Sequence, residues 1–221
     1  MHKTEKIGFI FDLDGVIVDT AKYHYLAWKK LAEELGIDFT EEQNEQFKGV
    51  SRKRCLEILL EMGGLTVTKE QFNAWLEEKN IDYLKYIDKM DASEILPDVP
   101  KVLSYLKQHN VPMALGSASK NAVPILKKVG LISYFNTIVD GTHVTKAKPD
   151  PEVFLIAAKD LGLEPEDCIV FEDALAGIEA SNAAGMISIG IGDKNTLTQA
   201  RYNFNDFTEI EIDFIRELAQ L

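Results

Sequence analysis

The chain is poor in cysteine, in basic charge and in long hydrophobic runs. Only two of its 221 residues are cysteine, Cys55 and Cys168, too few for a disulfide framework and expected of a reducing compartment. Lys and Arg total 24 against 36 Asp and Glu, a formal net charge of −12. Nucleic acid and anionic membranes both call for basic surface, so neither is an expected partner. No stretch approaches the roughly 18 apolar residues of a membrane span. The apolar run 7–11 ahead of Asp12 is too short for a secretory leader, so a cytoplasmic location is expected. Internal repeats and low-complexity segments are lacking as well.

What is present is an ordinary globular composition, 46% hydrophobic and 27% charged, in a chain long enough for a core domain with a modest insert. Short runs rich in Val, Ile and Phe end in small or acidic residues. They are IGFIF before Asp12, VPMALG before Ser117, NTIVD around Ile138, CIVF before Glu172 and ISIGIG before Asp193. Helical patterns at 98–109, 121–129, 151–161 and 174–185 separate most of them, with Asp150-Pro151 as a helix start and Gly162 and Gly185 as stops. The alternation predicts an α/β fold, a Rossmann-like, doubly wound parallel sheet covered on both faces. Residues 19–90 break the rhythm with helical patterns at 20–35, 41–47, 51–62 and 68–90. The stretch from Thr68 to Gln71 has the form of a capping box. The predicted organisation is a core of 1–18 and 91–221 with a helical cap, 19–90, inserted after the first strand.

In open parallel sheets, ligands bind at the carboxyl ends of the strands. That rule gathers Asp12 and Asp14, Ser117, Lys148, and Glu172 with Asp173 at one edge. Asp12, Asp14, Glu172 and Asp173 offer oxygen ligands suited to Mg²⁺, which is held by few carboxylates plus waters and a phosphate. Lys148 supplies compensating charge, Ser117 a hydroxyl, and the Ser119-Lys120-Asn121 helix start free N–H groups for an anion. Each piece has a plainer reading: Glu172-Asp173 and Ser119 as helix caps, Lys148 as a solvated lysine. In the insert, His24 and Trp28 share a helix face. Lys79 interrupts the apolar stripe of Phe72, Leu76, Tyr83, Tyr86 and Met90, as a snorkelling lysine or one aimed into a cleft. Lys48, Gly49, Val50, Ser51 and Arg52 form a glycine-containing turn with two cations.

The set Asp12-Leu13-Asp14-Gly15-Val16, Ser117, Lys148-Pro149 and Glu172-Asp173 resembles the four motifs of the haloacid dehalogenase-like phosphotransferases, over essentially the whole chain. The resemblance implies Asp12 as a nucleophile that becomes an aspartyl-phosphate and Asp14 as general acid/base. It further implies Ser117 and Lys148 on the transferring phosphoryl group, and Mg²⁺ held by Asp12, Asp14, Glu172 and Asp173. Dehalogenases lack the second aspartate, which argues against halide displacement. His24, Trp28, 48–52, Lys79 and 117–121 are similar to the sugar-phosphate mutases of that family. This implies a substrate site built from Thr20, His24, Trp28, Lys48, Gly49, Val50, Ser51, Arg52, Lys79, Ser117, Ala118, Ser119, Lys120, Asn121 and Lys148. Arg52, Ser119 and Asn121 would bind the distal phosphate.

The implied reaction interconverts β-glucose 1-phosphate and glucose 6-phosphate through β-glucose 1,6-bisphosphate. A closing cap needs no partner, so a monomer is expected. The competing readings are a sugar-phosphate phosphatase, which needs no second phosphate site, a phosphonate hydrolase and a non-catalytic binding protein. Two positions depart from the pattern: Cys55, where a hydroxyl residue is expected, and Gly116, where alanine is common and the change is expected to matter little.

Overall fold

Six short strands form one parallel sheet in the computed structural model, which describes residues 6–221. The first five residues, where the core and leader readings begin, lie outside the described part. The strands are β1 (Gly8–Phe11), β2 (Met113–Gly116), β3 (Thr137–Val139), β4 (Cys168–Glu172), β5 (Ile187–Ile191) and β6 (Tyr202–Phe204), in the order β3-β2-β1-β4-β5-β6. The order reverses between β1 and β4, and this is the switch point outside which doubly wound sheets bind ligands. Phe11 is in register with Phe171 there, so Asp12 and Glu172 leave the sheet side by side.

Alternation along β1 feeds two cores. Phe9 and Phe11 face one side, where Phe11 stacks on Phe171 at 4.9 Å and Phe171 on Phe207 at 5.4 Å. That side is covered by α5 (Val99–Gln108), α6 (Ala122–Lys128) and α9 (Ile212–Leu218). Ile10 faces the other side, under α7 (Glu152–Leu161) and α8 (Leu175–Ala183). Burying these apolar faces, at roughly 25 cal/mol per Å², is what holds the layers together.

Between β1 and α5 come α1 (Ala21–Glu34), α2 (Glu41–Asn44), α3 (Arg52–Met62) and α4 (Lys69–Ile87). They enclose a separate cluster around Trp28, Phe39, Phe47, Leu56 and Leu59, while Tyr83 and Ile87 at the end of α4 join the sheet's core. The Thr68–Gln71 capping box is formed in both directions. No helix among the described residues is long and apolar enough to cross a membrane.

Three local expectations need correction. The helix after Pro149 starts one residue late: Pro151 is the cap position and the Asp150 carboxylate accepts from Glu152 N at 3.1 Å. Asn121, rather than Ser119, is the cap residue of α6, although the Ser119 hydroxyl accepts from Asn121 N at 3.2 Å. The strand β6 and helix α9 are additional elements; each is too short to show a period.

Candidate active site

The loop after β1 must turn sharply to place two carboxylates. Gly15 supplies the turn at φ +78°, and a methyl group there would run into the Asp173 carboxylate. Asp12 is 5% exposed. Its neighbour Lys148 donates to Asp12 Oδ1 at 2.7 Å, to Gly116 O at 3.2 Å and to Glu172 Oε1, with the ammonium 4.8 Å from the Phe154 ring centroid. Burial opposes the charge on Lys148, but Asp12 and Glu172 outweigh it and hold its pKa above the ordinary value.

Glu172 is fully buried, and both of its oxygens are engaged: Oε1 by Lys148 and Oε2 by Ala174 N at 2.8 Å. This occupancy suits a carboxylate that orients Lys148 more than one that binds a metal. A methyl at Gly177 would overlap Glu172, so α8 packs directly on that carboxylate. Gly116 is tighter than expected. A methyl there would meet Phe154 Cδ1 at 2.9 Å and Ile10 Cγ2 at 3.1 Å, so alanine has no free room and the expectation of little effect is revised. Ser117 is fully buried, and its hydroxyl accepts from Ser119 N at 3.1 Å.

Asp14 is separated from Asp12 in environment as well as in sequence. Thr20, fully buried, donates to Asp14 Oδ1, and His24 Nε2 lies 3.7 Å from the same oxygen. Burial alone would raise the Asp14 pKa, but His24 and Thr20 carry it below the usual value. Asp12 is pushed up to about 7, by burial first, with Lys148 opposing and Glu172 and Asp14 adding to the rise. Asp173 is raised well above its usual range by burial and by Glu172 and Asp12. The two carboxylates thus sit in split environments, one raised and one lowered.

His24 is tied to α4. Lys79 Nζ is 2.9 Å from His24 Nδ1, and the Tyr83 ring stacks on the imidazole at 4.2 Å. Burial, then the Lys79 charge, lowers the His24 pKa. The neutral ring therefore accepts at Nδ1 and turns its Nε2 proton toward Asp14. Lys79 is 2% exposed, 4.8 Å from the Trp28 ring centroid and 4.7 Å from that of Tyr83, so it is buried rather than snorkelling. Its pKa falls to about 7 by burial and the Arg52 charge.

The unfolded lysine keeps an ordinary value near 10.5. The unfolded chain thus binds more protons between these values, and stability rises with pH across that window. Lys79→Met is expected to raise stability by roughly 2–4 kcal/mol at pH 7 and to lower turnover. Melting curves should show the gain shrinking toward pH 10.

These groups line one cavity of about 400 Å³ between insert and sheet edge. It takes in every expected site residue except Thr20 and Glu172: Asp12, Asp14, His24, Trp28, 48–52, Lys79, 117–121, Lys148 and Asp173. Trp28 is also core, packed edge-on against Phe47 at 5.5 Å. Ser51 caps α3, accepting from Arg54 N at 3.3 Å, and Lys48 pairs with Glu45 at 2.8 Å. Gly49, at φ +68°, presses the insert onto the sheet domain, with its missing Cβ only 2.9 Å from the Ala174 methyl.

Arg52 lines the cavity without a carboxylate partner among the described residues. It is partly buried, its pKa is lowered by that burial, and no carboxylate opposes the shift. Cys55 takes over the task of a hydroxyl, its thiol donating to Phe47 O and Val50 O at 3.7 Å each; burial pushes its pKa up to about 12. Sequence reasoning missed Asn44, the lining role of Tyr83 and the wall at Gly141 and 144–147. The loop leading to Lys148 was the available signal for that wall.

Among the described residues no three His, Cys, Asp or Glu side chains form a ready-made metal cage. The fit to Mg²⁺ rests instead on the donor set: Asp12, buried, and Asp173, partly buried, line the same cavity, and burial, with the neighbouring carboxylates, raises both of their pKa values. A hard cation with two carboxylates, completed by water and a phosphate oxygen, matches that donor set.

A family model described as haloacid dehalogenase-like hydrolase matches residues 8–185. A β-phosphoglucomutase of Bacillus subtilis is 40% identical over 94% of this chain and 93% of its own length. A phosphorylated carbohydrates phosphatase of Thermotoga maritima is 32% identical over 80% of this chain and 81% of its own. The crystal structure of a β-phosphoglucomutase from Clostridium difficile superposes with a TM-score of 0.92 at 40% identity, covering 97% of both chains.

Proposed function

Because the chain belongs to the haloacid dehalogenase-like hydrolases, we propose that it is a phosphosugar mutase interconverting β-glucose 1-phosphate and glucose 6-phosphate. The observation that carries this reading is Arg52: a partly buried guanidinium with no opposing carboxylate, in the same cavity as Asp12. A phosphatase needs one anion site. An enzyme whose intermediate is a sugar bisphosphate needs two. The 40% identity to two β-phosphoglucomutases supports the reading.

In this account Asp12 attacks phosphorus and carries the phosphoryl group, splitting one transfer into two. Lys148, fixed by Glu172, and the Ser117 hydroxyl hold the transferring oxygens and spread their charge. Asp14, ionised at rest, takes a proton from the sugar hydroxyl that attacks phospho-Asp12 and returns it to the leaving sugar oxygen when Asp12 attacks the bisphosphate. Thr20 and His24 hold it in reach. Arg52 and Asn121 grip the distal phosphate, so the bisphosphate can return a phosphoryl group from its other end. The insert closes over the cavity and excludes water, favouring a sugar hydroxyl as acceptor. Mg²⁺ would be held by Asp12 and Asp173, with Asp14 and Glu172 nearby, and would neutralise charge on the phosphoryl oxygens.

Arg52→Ala is expected to lower mutase flux on the order of 100-fold, the scale of one charge-assisted contact pair. Hydrolysis of a small phosphate ester should change by less than about threefold. Parallel assays of both reactions decide it; equal losses would favour the phosphatase.

A further inference from the structure

We propose that Asn80 is a positioning residue that joins closure of the helical insert to recognition of the second phosphate, acting through Asn121; this rests on the mutase reading. Asn121 is the cap residue of α6, a position whose side chain ordinarily folds back onto its own helix. Here it makes no such bond. Its amide nitrogen Nδ2 instead crosses to the insert and donates to Asn80 Oδ1 at 3.2 Å. Asn80 sits on α4 directly after Lys79, half-buried and outside the cavity wall, whereas Asn121 lines the cavity.

An amide nitrogen has two protons. One is spent on Asn80, which fixes the rotation of the amide, and the second is left for an oxygen in the cavity. The backbone beneath is held in steps: Ser117 Oγ accepts from Ser119 N, and Ser119 Oγ accepts from Asn121 N. The only freedom left to Asn121 is its side-chain torsions, and Asn80 removes it. Because Asn80 belongs to the insert and Asn121 to the sheet domain, the donor is aimed only when the insert is down. The same bond that aims Asn121 at a phosphate therefore also holds the insert closed against water. A ligand with a phosphate at that end rewards closure; water and small esters do not. Asn80 thereby sets the choice of acceptor without touching it.

The test compares Asn80→Ala, Asn80→Asp, Asn121→Ala and the double alanine variant with the unaltered protein, each checked for folding by its melting curve. The first readout is binding of glucose 6-phosphate against inorganic phosphate, measured calorimetrically with Mg²⁺. Asn80→Ala is expected to weaken glucose 6-phosphate roughly five- to tenfold, the scale of one hydrogen bond, and to leave inorganic phosphate within about twofold. Asn80→Asp keeps the acceptor and should recover most of the loss. The double variant should bind no worse than Asn121→Ala alone, since Asn80 acts through that residue.

Equal weakening of both ligands, no weakening, or additive losses would each overturn the proposal. The second readout is the ratio of mutase turnover to small-ester hydrolysis, expected to fall about as much as the binding. If the unaltered protein shows no mutase turnover, the functional reading fails while the binding comparison still decides the role of Asn80.

Discussion

Asp12→Asn is expected to abolish phosphoryl transfer, with turnover falling by a factor on the order of 10⁴ or more. The amide is nearly isosteric and Lys148 keeps its bonds to Glu172 and Gly116 O, so the fold should survive. What disappears is the anionic oxygen that attacks phosphorus. Acid-quenched samples incubated with a labelled acyl phosphate should carry label on the unaltered protein, released by hydroxylamine as expected of an aspartyl-phosphate. The variant should carry none. Turnover within tenfold of the original would remove Asp12 from the role of nucleophile. So would label retained on the variant.

Lys148→Met should be costly twice over. Asp12 and Glu172 are nearly or fully buried, and Lys148 is the cation that bridges them. Removing one partner of a buried ion cluster costs about 3–5 kcal/mol. Turnover should fall on the order of 10³, because the transferring oxygens lose their fixed positive neighbour.

The stability loss has a sign in pH. Asp12 already has a folded pKa of about 7, above its unfolded 3.8, and losing Lys148 removes an influence that lowers it. A carboxyl whose folded pKa is raised binds its proton more readily when folded, so stability falls as pH rises through that window. The deficit of Lys148→Met relative to the unaltered protein should therefore be larger at pH 8 than at pH 5 in thermal melts. A deficit equal at both values would mean that Lys148 stabilises by packing against Phe154 and not by neutralising Asp12.

Much of the fold and the heart of the site were legible because they are written locally. Asp12, Ser117 and Glu172 end runs of apolar residues, and a parallel sheet delivers strand ends to one edge whatever the tertiary detail. The four helices between β1 and α5 were legible from the helical patterns between 20 and 90, and the cavity gathers nearly all the residues the motifs named. Roles set by contacts distant in sequence were less legible. Thr20 was expected at the substrate; it is fully buried outside the cavity wall and bonded to Asp14. Glu172 was expected on the metal; that its oxygens also meet Lys148 and Ala174 N was not legible. Nothing in the sequence around Asn80 or Asn121 indicates that the two meet, since 41 residues separate them. The edge strand β6, three residues of Tyr-Asn-Phe, carries too little pattern to be separated from a loop.

The most direct test of the central claim is a coupled assay for glucose 6-phosphate, run with Mg²⁺ and a catalytic amount of glucose 1,6-bisphosphate. β-Glucose 1-phosphate and its α anomer are supplied in parallel, and inorganic phosphate is measured alongside. A cavity with phosphate grips at both ends predicts glucose 6-phosphate from the β anomer alone, with little phosphate released. Inorganic phosphate from both anomers, without glucose 6-phosphate, would contradict the account and make the protein a phosphatase.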